Sequence, residues 1–131
     1  MFCKLTTPKG RFFFFNYVAR IILHFQFALA SVVDKEEMDF ITGLPSPKSN
    51  HVWIGGKRTC HECSTWEWIE GRVIEYFSWR KGEPNNVDDN NIKKEDCIEF
   101  KVNDKWTRPE AYGKWNDENC GDKLEFVCKS V

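Results

Sequence analysis

The chain has 131 residues and a formal net charge of −1, enough polypeptide for one domain with a real core but not for two. That near-neutral balance gives no global pull toward nucleic acid or acidic membrane surfaces. Six Cys and six Trp point to disulfides and an extracellular or secreted setting; a cytosolic metal cluster would need two close ligand pairs, and only Cys60-His61-Glu62-Cys63 has that spacing.

Residues 1–27 form an atypical N-terminal segment. Lys4, Lys9 and Arg11 precede an apolar run from Phe12 that ends in Ala28-Leu29-Ala30, which resembles a signal peptide with a small-residue cleavage site. Asn16, Arg20, His24 and Gln26 interrupt the run, so it lacks the unbroken apolar span of about 18 residues that a membrane helix needs. Phe12 to Phe15 is also what a pyrimidine-rich intron end yields on translation, which would make the segment a gene-model artefact.

The pattern over residues 32–44 predicts a helix. Asp34 is placed to cap it with Glu37 three residues on, Val33, Met38 and Ile41 share a face, and Gly43 and Pro45 stop it. His51 to Gly55 reads as a short strand. Residues 65–79 alternate aromatic and polar through Trp66, Trp68, Tyr76 and Trp79, a hairpin pattern around Glu70-Gly71. Lys81 to Glu95 is polar and cannot pack by itself, so it is either a floppy loop or one ordered by an ion. Cys97 to Phe100 and Leu124 to Cys128 are strands with alternate residues inward. The whole reads as a mixed α+β domain. Trp53, Trp66, Trp68, Trp79 and Trp106 are core by default, and Trp115 is core or loop scaffold. His61 is expected to be exposed, and Lys93-Lys94 to be solvated charge.

Five oxygen-bearing side chains cluster around two cysteines: Glu83 and Asn85 in Glu-Pro-Asn, Glu95 just before Cys97, and Asn116 and Asp117 just before Cys120. Carboxylates mixed with amides are hard-cation ligands and suit calcium better than zinc or copper. No His stands among them, which disfavours catalytic zinc. Without an ion, the three carboxylates would repel and the loop would loosen. Glycosidases also use two carboxylates, but these are committed to a metal, and no Ser-His or Cys-His arrangement stands beside them, so no enzymatic activity is expected.

Several separated motifs occur together in one order: Leu29-Ala-Ser-Val32 with Glu36-Glu37, Trp53-Ile-Gly-Gly56, Trp66-x-Trp68-x-Glu70-Gly71, Trp79-x-x-Gly82-Glu-Pro-Asn85, Glu95-Asp96-Cys97, Trp115-Asn-Asp117-x-x-Cys120 and Phe126-Val-Cys128. Over roughly residues 28–129 the chain resembles the C-type lectin-like domain, mannose-type subclass, which makes residues 28–131 the domain. The resemblance implies the C-type lectin fold, α+β with small antiparallel sheets and a long calcium-binding loop. It implies Glu83, Asn85, Glu95, Asn116 and Asp117 as ligands of both calcium and sugar, with a cis Glu83–Pro84 bond turning the flanking carbonyls toward the ion. It also implies a Cys97–Cys120 disulfide. Cys60 and Cys63 are expected to pair with each other. The family's first-helix cysteine, partner of the last one, has no counterpart ahead of Leu29, so the N-terminal part of the domain is missing or replaced. Cys128 is left unpaired or reaches Cys3; loss of such a bridge typically costs about 2–5 kcal/mol. Asp88 and Asp89 are solvated charge or part of an auxiliary calcium site, in which the resemblance would place Asp96.

The function this implies is calcium-dependent binding of mannose, N-acetylglucosamine or fucose-type sugars through vicinal equatorial hydroxyls, in recognition or innate defence. Each hydroxyl would donate to a carboxylate and accept from an amide, with Glu83/Asn85 and Glu95/Asn116 as the two pairs. A single sugar would bind weakly, and an oligomer would supply avidity. The alternative is a sugar-independent protein-interaction module on the same fold, which the absent N-terminal cysteine favours.

Overall fold

The computed structural model describes residues 12–15, 27–43, 50–102 and 109–130. Among the described residues the strands are β1 (Phe12–Phe15), β2 (Phe27–Leu29), β3 (His51–Arg58), β4 (Trp66–Trp68), β5 (Cys97–Lys101), β6 (Trp115–Glu118) and β7 (Glu125–Ser130), with one helix, α1 (Lys35–Thr42). The strands form one seven-stranded sheet whose main path runs β1-β7-β3-β5-β6, with β2 on β7 and β4 on β3. Every pairing is antiparallel except β3 with β7. Phe126 pairs with both Phe15 and Trp53, and Cys128 with both Phe13 and Leu29. A backbone residue has only two edges, so β1 lies along one side of β7 and β3 and β2 share the other.

β3 is the centre of this arrangement, and its Gly55-Gly56 pair explains why. Trp53 pairs with Glu99 and Lys57 with Cys97, so β3 bulges by two residues against β5. A Cβ on Gly55 would stand 2.7 Å from the Leu29 carbonyl oxygen, and one on Gly56 would stand 2.4 Å from Ile98 Cδ1. Only glycine lets β2 and the Ile98 side chain come that close.

The core beneath the sheet gathers Ala30, Val32, Met38, Ile41, Val52, Ile54, Trp66, Trp68, Ile74, Ile98, Phe100, Val102, Trp115 and Val127. Trp115 is wholly buried and takes edge contacts from Trp68, Tyr76 and Trp79; its Nε1 donates to Met38 Sδ at 3.1 Å. Trp53 differs from the core expectation: it is half-buried on the other face, with Nε1 donating to the Asp122 carbonyl. Trp79 packs partly buried against the core. Trp106 lies outside the described residues.

The helix is shorter than the pattern predicted. Asp34 is extended and its side chain accepts from Glu37 N at 2.8 Å, while Glu37 reaches back to Val33 N, a reciprocal cap that fixes the start at Lys35. Val33, ahead of the cap, is exposed rather than on the buried face. Gly43 closes the end; Pro45 lies outside the described residues. The expected hairpin is reduced to β4 and a tight turn, with Gly71 at φ +90° and one bridge, Glu67 to Val73. Beyond it the chain leaves the ladder, because Trp79 is drawn to Trp115 by a parallel bridge. β3 ends three residues beyond its expected end, β5 one and β7 two, and β7 starts one residue later than expected.

Disulfides join Cys97 to Cys120, with Cα atoms 5.2 Å apart, and Cys60 to Cys63, 5.0 Å apart. Cys128 is buried in β7; Cys3 lies outside the described residues. Replacing Gly55 by Ala is expected to destabilise the domain by about 1–3 kcal/mol, because the clashing partner is backbone and cannot rotate away. Thermal denaturation of the purified variant checks this, and an unchanged midpoint would show that β2 does not lean on β3.

Candidate functional site

The loop from Lys81 to Glu95 is threaded by its own backbone hydrogen bonds. Trp115 N donates to the Ser78 carbonyl and Arg80 N to the Trp115 carbonyl, which pins the loop's entry to β6. Glu83 N donates to the Arg80 carbonyl around Gly82 at φ +92°, and the Glu83–Pro84 bond is cis. Asn86 and Asn91, both at positive φ, make the remaining reversals. Between them Val87 bridges Lys94, and Asp88 Oδ1 accepts from Ile92 N and Lys93 N. Those two bonds hold the Asp88 carboxyl below its usual range.

Asp117 anchors this loop. Alternation along β6 turns it to the same face as Trp115, where it is fully buried. Its Oδ1 accepts from Asn85 N at 3.0 Å, and its Oδ2 from Asn86 N at 2.8 Å and Arg58 Nη2 at 3.1 Å. Glu83 comes to the same place. Its Oε1 is 2.8 Å from Arg80 Nη2, while Oε2 is buried with no hydrogen-bond partner. Burial pushes the Glu83 carboxyl up, Arg80 opposes this, and nearby Asp117 adds to it.

Glu95 is 5 % exposed. Burial, with the neighbouring charges of Glu118, Asp117, Glu83 and Asp88, pushes its carboxyl up to about 8. Asn85 is itself exposed. Glu83, Asn85, Glu95 and Asp117 are thus brought to one loop. Asn116 is not: it projects to the opposite face of β6, and its Nδ2 donates to Glu99 Oε1 at 3.0 Å. Glu99, itself buried, also takes His51 Nδ1 at 2.9 Å.

The donor chemistry fits a hard cation in part. A buried glutamate oxygen lacks a partner and a second buried glutamate is strained by like charge, both of which a divalent ion would relieve. As the side chains stand, however, no group of three His, Cys, Asp or Glu among the described residues is gathered closely enough to hold a metal. Asp117 is engaged with Arg58, Glu83 with Arg80 and Asn116 with Glu99.

Arg58, Arg80, Glu99 and Glu118 were missed by sequence reasoning. Arg58 sits 59 positions from Asp117 and 38 from Asp96, and no local signal marks it for burial. His61 is half-buried rather than exposed, with Nδ1 3.1 Å from Asp96 Oδ1. An open cleft of about 750 Å³ flanks the loop, lined by Arg58, His61, Trp66, Phe77, Trp79 and Pro84 among others.

The profile of the family described as "Lectin C-type domain" matches residues 26–130, and the chain belongs to that family. It is 42% identical over 81 residues to the C-type lectin lectoxin-Enh5 of Pseudoferania polylepis, a match covering 62% of this chain and 44% of that protein. It is 34% identical over 104 residues to a lectin of Pleurodeles waltl, covering 77% and 54%. The chain therefore spans about half the length of the curated relatives it matches. Among solved structures, the carbohydrate-recognition domain of cow CD23, determined in the presence of a GlcNAc2Man3 oligosaccharide, superimposes with TM-score 0.67 at 25% identity, covering 98% of each chain. An SPL-1–GlcNAc complex gives TM-score 0.60 at 27% identity, covering 79% of this chain and 70% of that one. The fold is the C-type lectin fold. No described helix is long and apolar enough to cross a membrane.

Folded, Glu95 keeps its proton up to about pH 8, whereas an ordinary glutamic acid loses it near 4.5. In chelator its contribution to stability is therefore fully present below about pH 4.5 and is lost as pH rises toward 8. The unfolding midpoint in EDTA is expected to fall between about pH 5 and pH 8, and Glu95→Gln to flatten that fall. A wild-type and variant pair with the same slope would refute it.

Proposed function

We propose that this domain binds carbohydrate in a calcium-dependent way, taking mannose, N-acetylglucosamine or fucose-type sugars by vicinal equatorial hydroxyls. The observation that carries this reading is the buried, unpartnered Glu83 Oε2 at the Glu-Pro-Asn loop, where the buried Glu95 also feels the charges of Asp117 and Glu83. Glu83, Asn85, Glu95 and Asp117 would hold the ion, joined by Asn116 once its amide leaves Glu99. Calcium would supply positive charge to the carboxylates and open positions for two sugar hydroxyls. The protein's own groups would orient the sugar: carboxylates accept from the hydroxyls, and the Asn85 and Asn116 amides donate to them. Family membership, the SPL-1–GlcNAc complex and the CD23 structure determined in the presence of an oligosaccharide support the same reading. The disulfides support an extracellular or secreted setting.

A sugar-independent interaction module is the second reading. What favours it is that Asn116 and Asp117 already have protein partners in Glu99 and Arg58. Retention on mannose-agarose in millimolar calcium, with release by EDTA, is expected for the lectin. Absence of retention would leave the interaction module. Release is also expected on acidification to about pH 5, because protonated carboxylates are lost as ligands. Glu83→Gln combined with Asn85→Asp should move preference from mannose toward galactose; a variant still held only by mannose would refute the donor and acceptor roles.

A further inference from the structure

We propose that Arg58 is a fixed internal cation that positions Asp117 and Asp96 and stands where a second metal ion would otherwise be needed to balance them. The side chain is 3 % exposed and every part of its guanidinium is used. Nε donates to Asp96 Oδ1 at 3.1 Å, Nη1 to the Cys63 carbonyl at 3.0 Å, and Nη2 to Asp117 Oδ2 at 3.1 Å and to the Glu95 carbonyl at 3.4 Å. Its face lies over Trp66, with the central carbon 4.2 Å from the ring centroid. The backbone repeats the connection, since Arg58 N donates to the Asp96 carbonyl at 2.8 Å.

One rigid fork thus ties β3, the Cys60–Cys63 loop, the end of the polar loop and β6 together. Arginine suits this place because it stays charged and presents several donors in one plane, a pattern neither lysine nor a hydrated ion reproduces. Asp96, a candidate for an auxiliary calcium from sequence, has its charge met by Arg58, with His61 Nδ1 3.1 Å from the same Oδ1. Asp88, the other candidate, is turned to its own loop's amides. Asp117, set by Arg58, in turn holds the amides of Asn85 and Asn86. The loop that carries Glu-Pro-Asn is therefore shaped by protein charge before any ion arrives.

The inference rests on the calcium reading only where ions are counted, so the two can fail separately. Amide hydrogen exchange in EDTA tests the positioning role. Asn85 and Asn86 N–H should exchange at least about tenfold more slowly in the wild type than in Arg58→Gln, with Arg58→Lys in between. Equal rates in all three would overturn the proposal. If Arg58→Gln does not fold, the wild-type and lysine proteins decide the question: protection in the first that is intact in the second would also overturn it. Equilibrium dialysis of the wild type against radioactive calcium should find one ion per chain. Two ions would overturn the replacement of a second metal, and none would overturn the calcium reading while leaving the exchange result to judge Arg58.

Discussion

The architecture around the site depends on a carboxylate buried in a β-strand. Asp117 is fully enclosed, where an ionised group without partners would be prohibitively costly. The fold answers with three donors from two distant places: the consecutive amides of Asn85 and Asn86, and the Arg58 guanidinium. Meeting that one charge obliges a polar loop to lie against β6 and an arginine at the end of β3 to turn inward. The Gly55-Gly56 bulge places Arg58 there, because it brings β3 back into register with β5 only at Lys57. Packing of the strand centre and electrostatics of the loop are therefore parts of one constraint.

Strand alternation sets a second limit. Asn116 and Asp117 are neighbours in sequence but occupy opposite faces of β6. On the far face, Asn116, His51 and Glu99 form a small polar cluster of their own, in which the buried Glu99 carboxylate takes bonds from both. Recruiting Asn116 to a ligand set would leave Glu99 with one bond fewer, at some cost in stability. The same structure can thus favour a lectin through Glu83 and Glu95 and resist it through Asn116.

Much of this was legible in the residues because the relevant signals were local. The Asp34 cap, the apolar alternation of β5 and β7, the Cys-x-x-Cys pair and the Glu-Pro-Asn run each act over a few positions. The core tryptophans at 66, 68 and 115 followed from size and hydrophobicity alone. The failures were of a different kind. Val33 has the right helical phase but lies ahead of the cap, so the backbone turns it outward. Trp53 is apolar but occupies the face opposite the core, which periodicity over a short strand cannot assign. Arg58 drew no notice because its partners, Asp96 and Asp117, come from far along the chain. The polar loop read as either floppy or ordered by an ion; its internal hydrogen bonds, such as Glu95 N to the Asn86 carbonyl and Asp88 N to the Lys93 carbonyl, leave no compositional trace.

The distribution of positive charge then explains why the carboxylates differ. Arg58 serves Asp117 and Asp96, and Arg80 serves one oxygen of Glu83. Toward Glu95, Arg58 reaches only the backbone carbonyl. Glu95 thus sits among Glu118, Asp117, Glu83 and Asp88 with its charge penalised by burial and by all four neighbours. A proton relieves that penalty in one way and a divalent cation in another, and the two compete for the same oxygens. A divalent ion would also compete with Arg80 for Glu83, whereas the enclosed, multiply bonded Arg58 is far harder to displace. Glu95 and Glu83 are therefore the responsive half of the site and Asp117 the preset half, a division made by which carboxylate each arginine reaches.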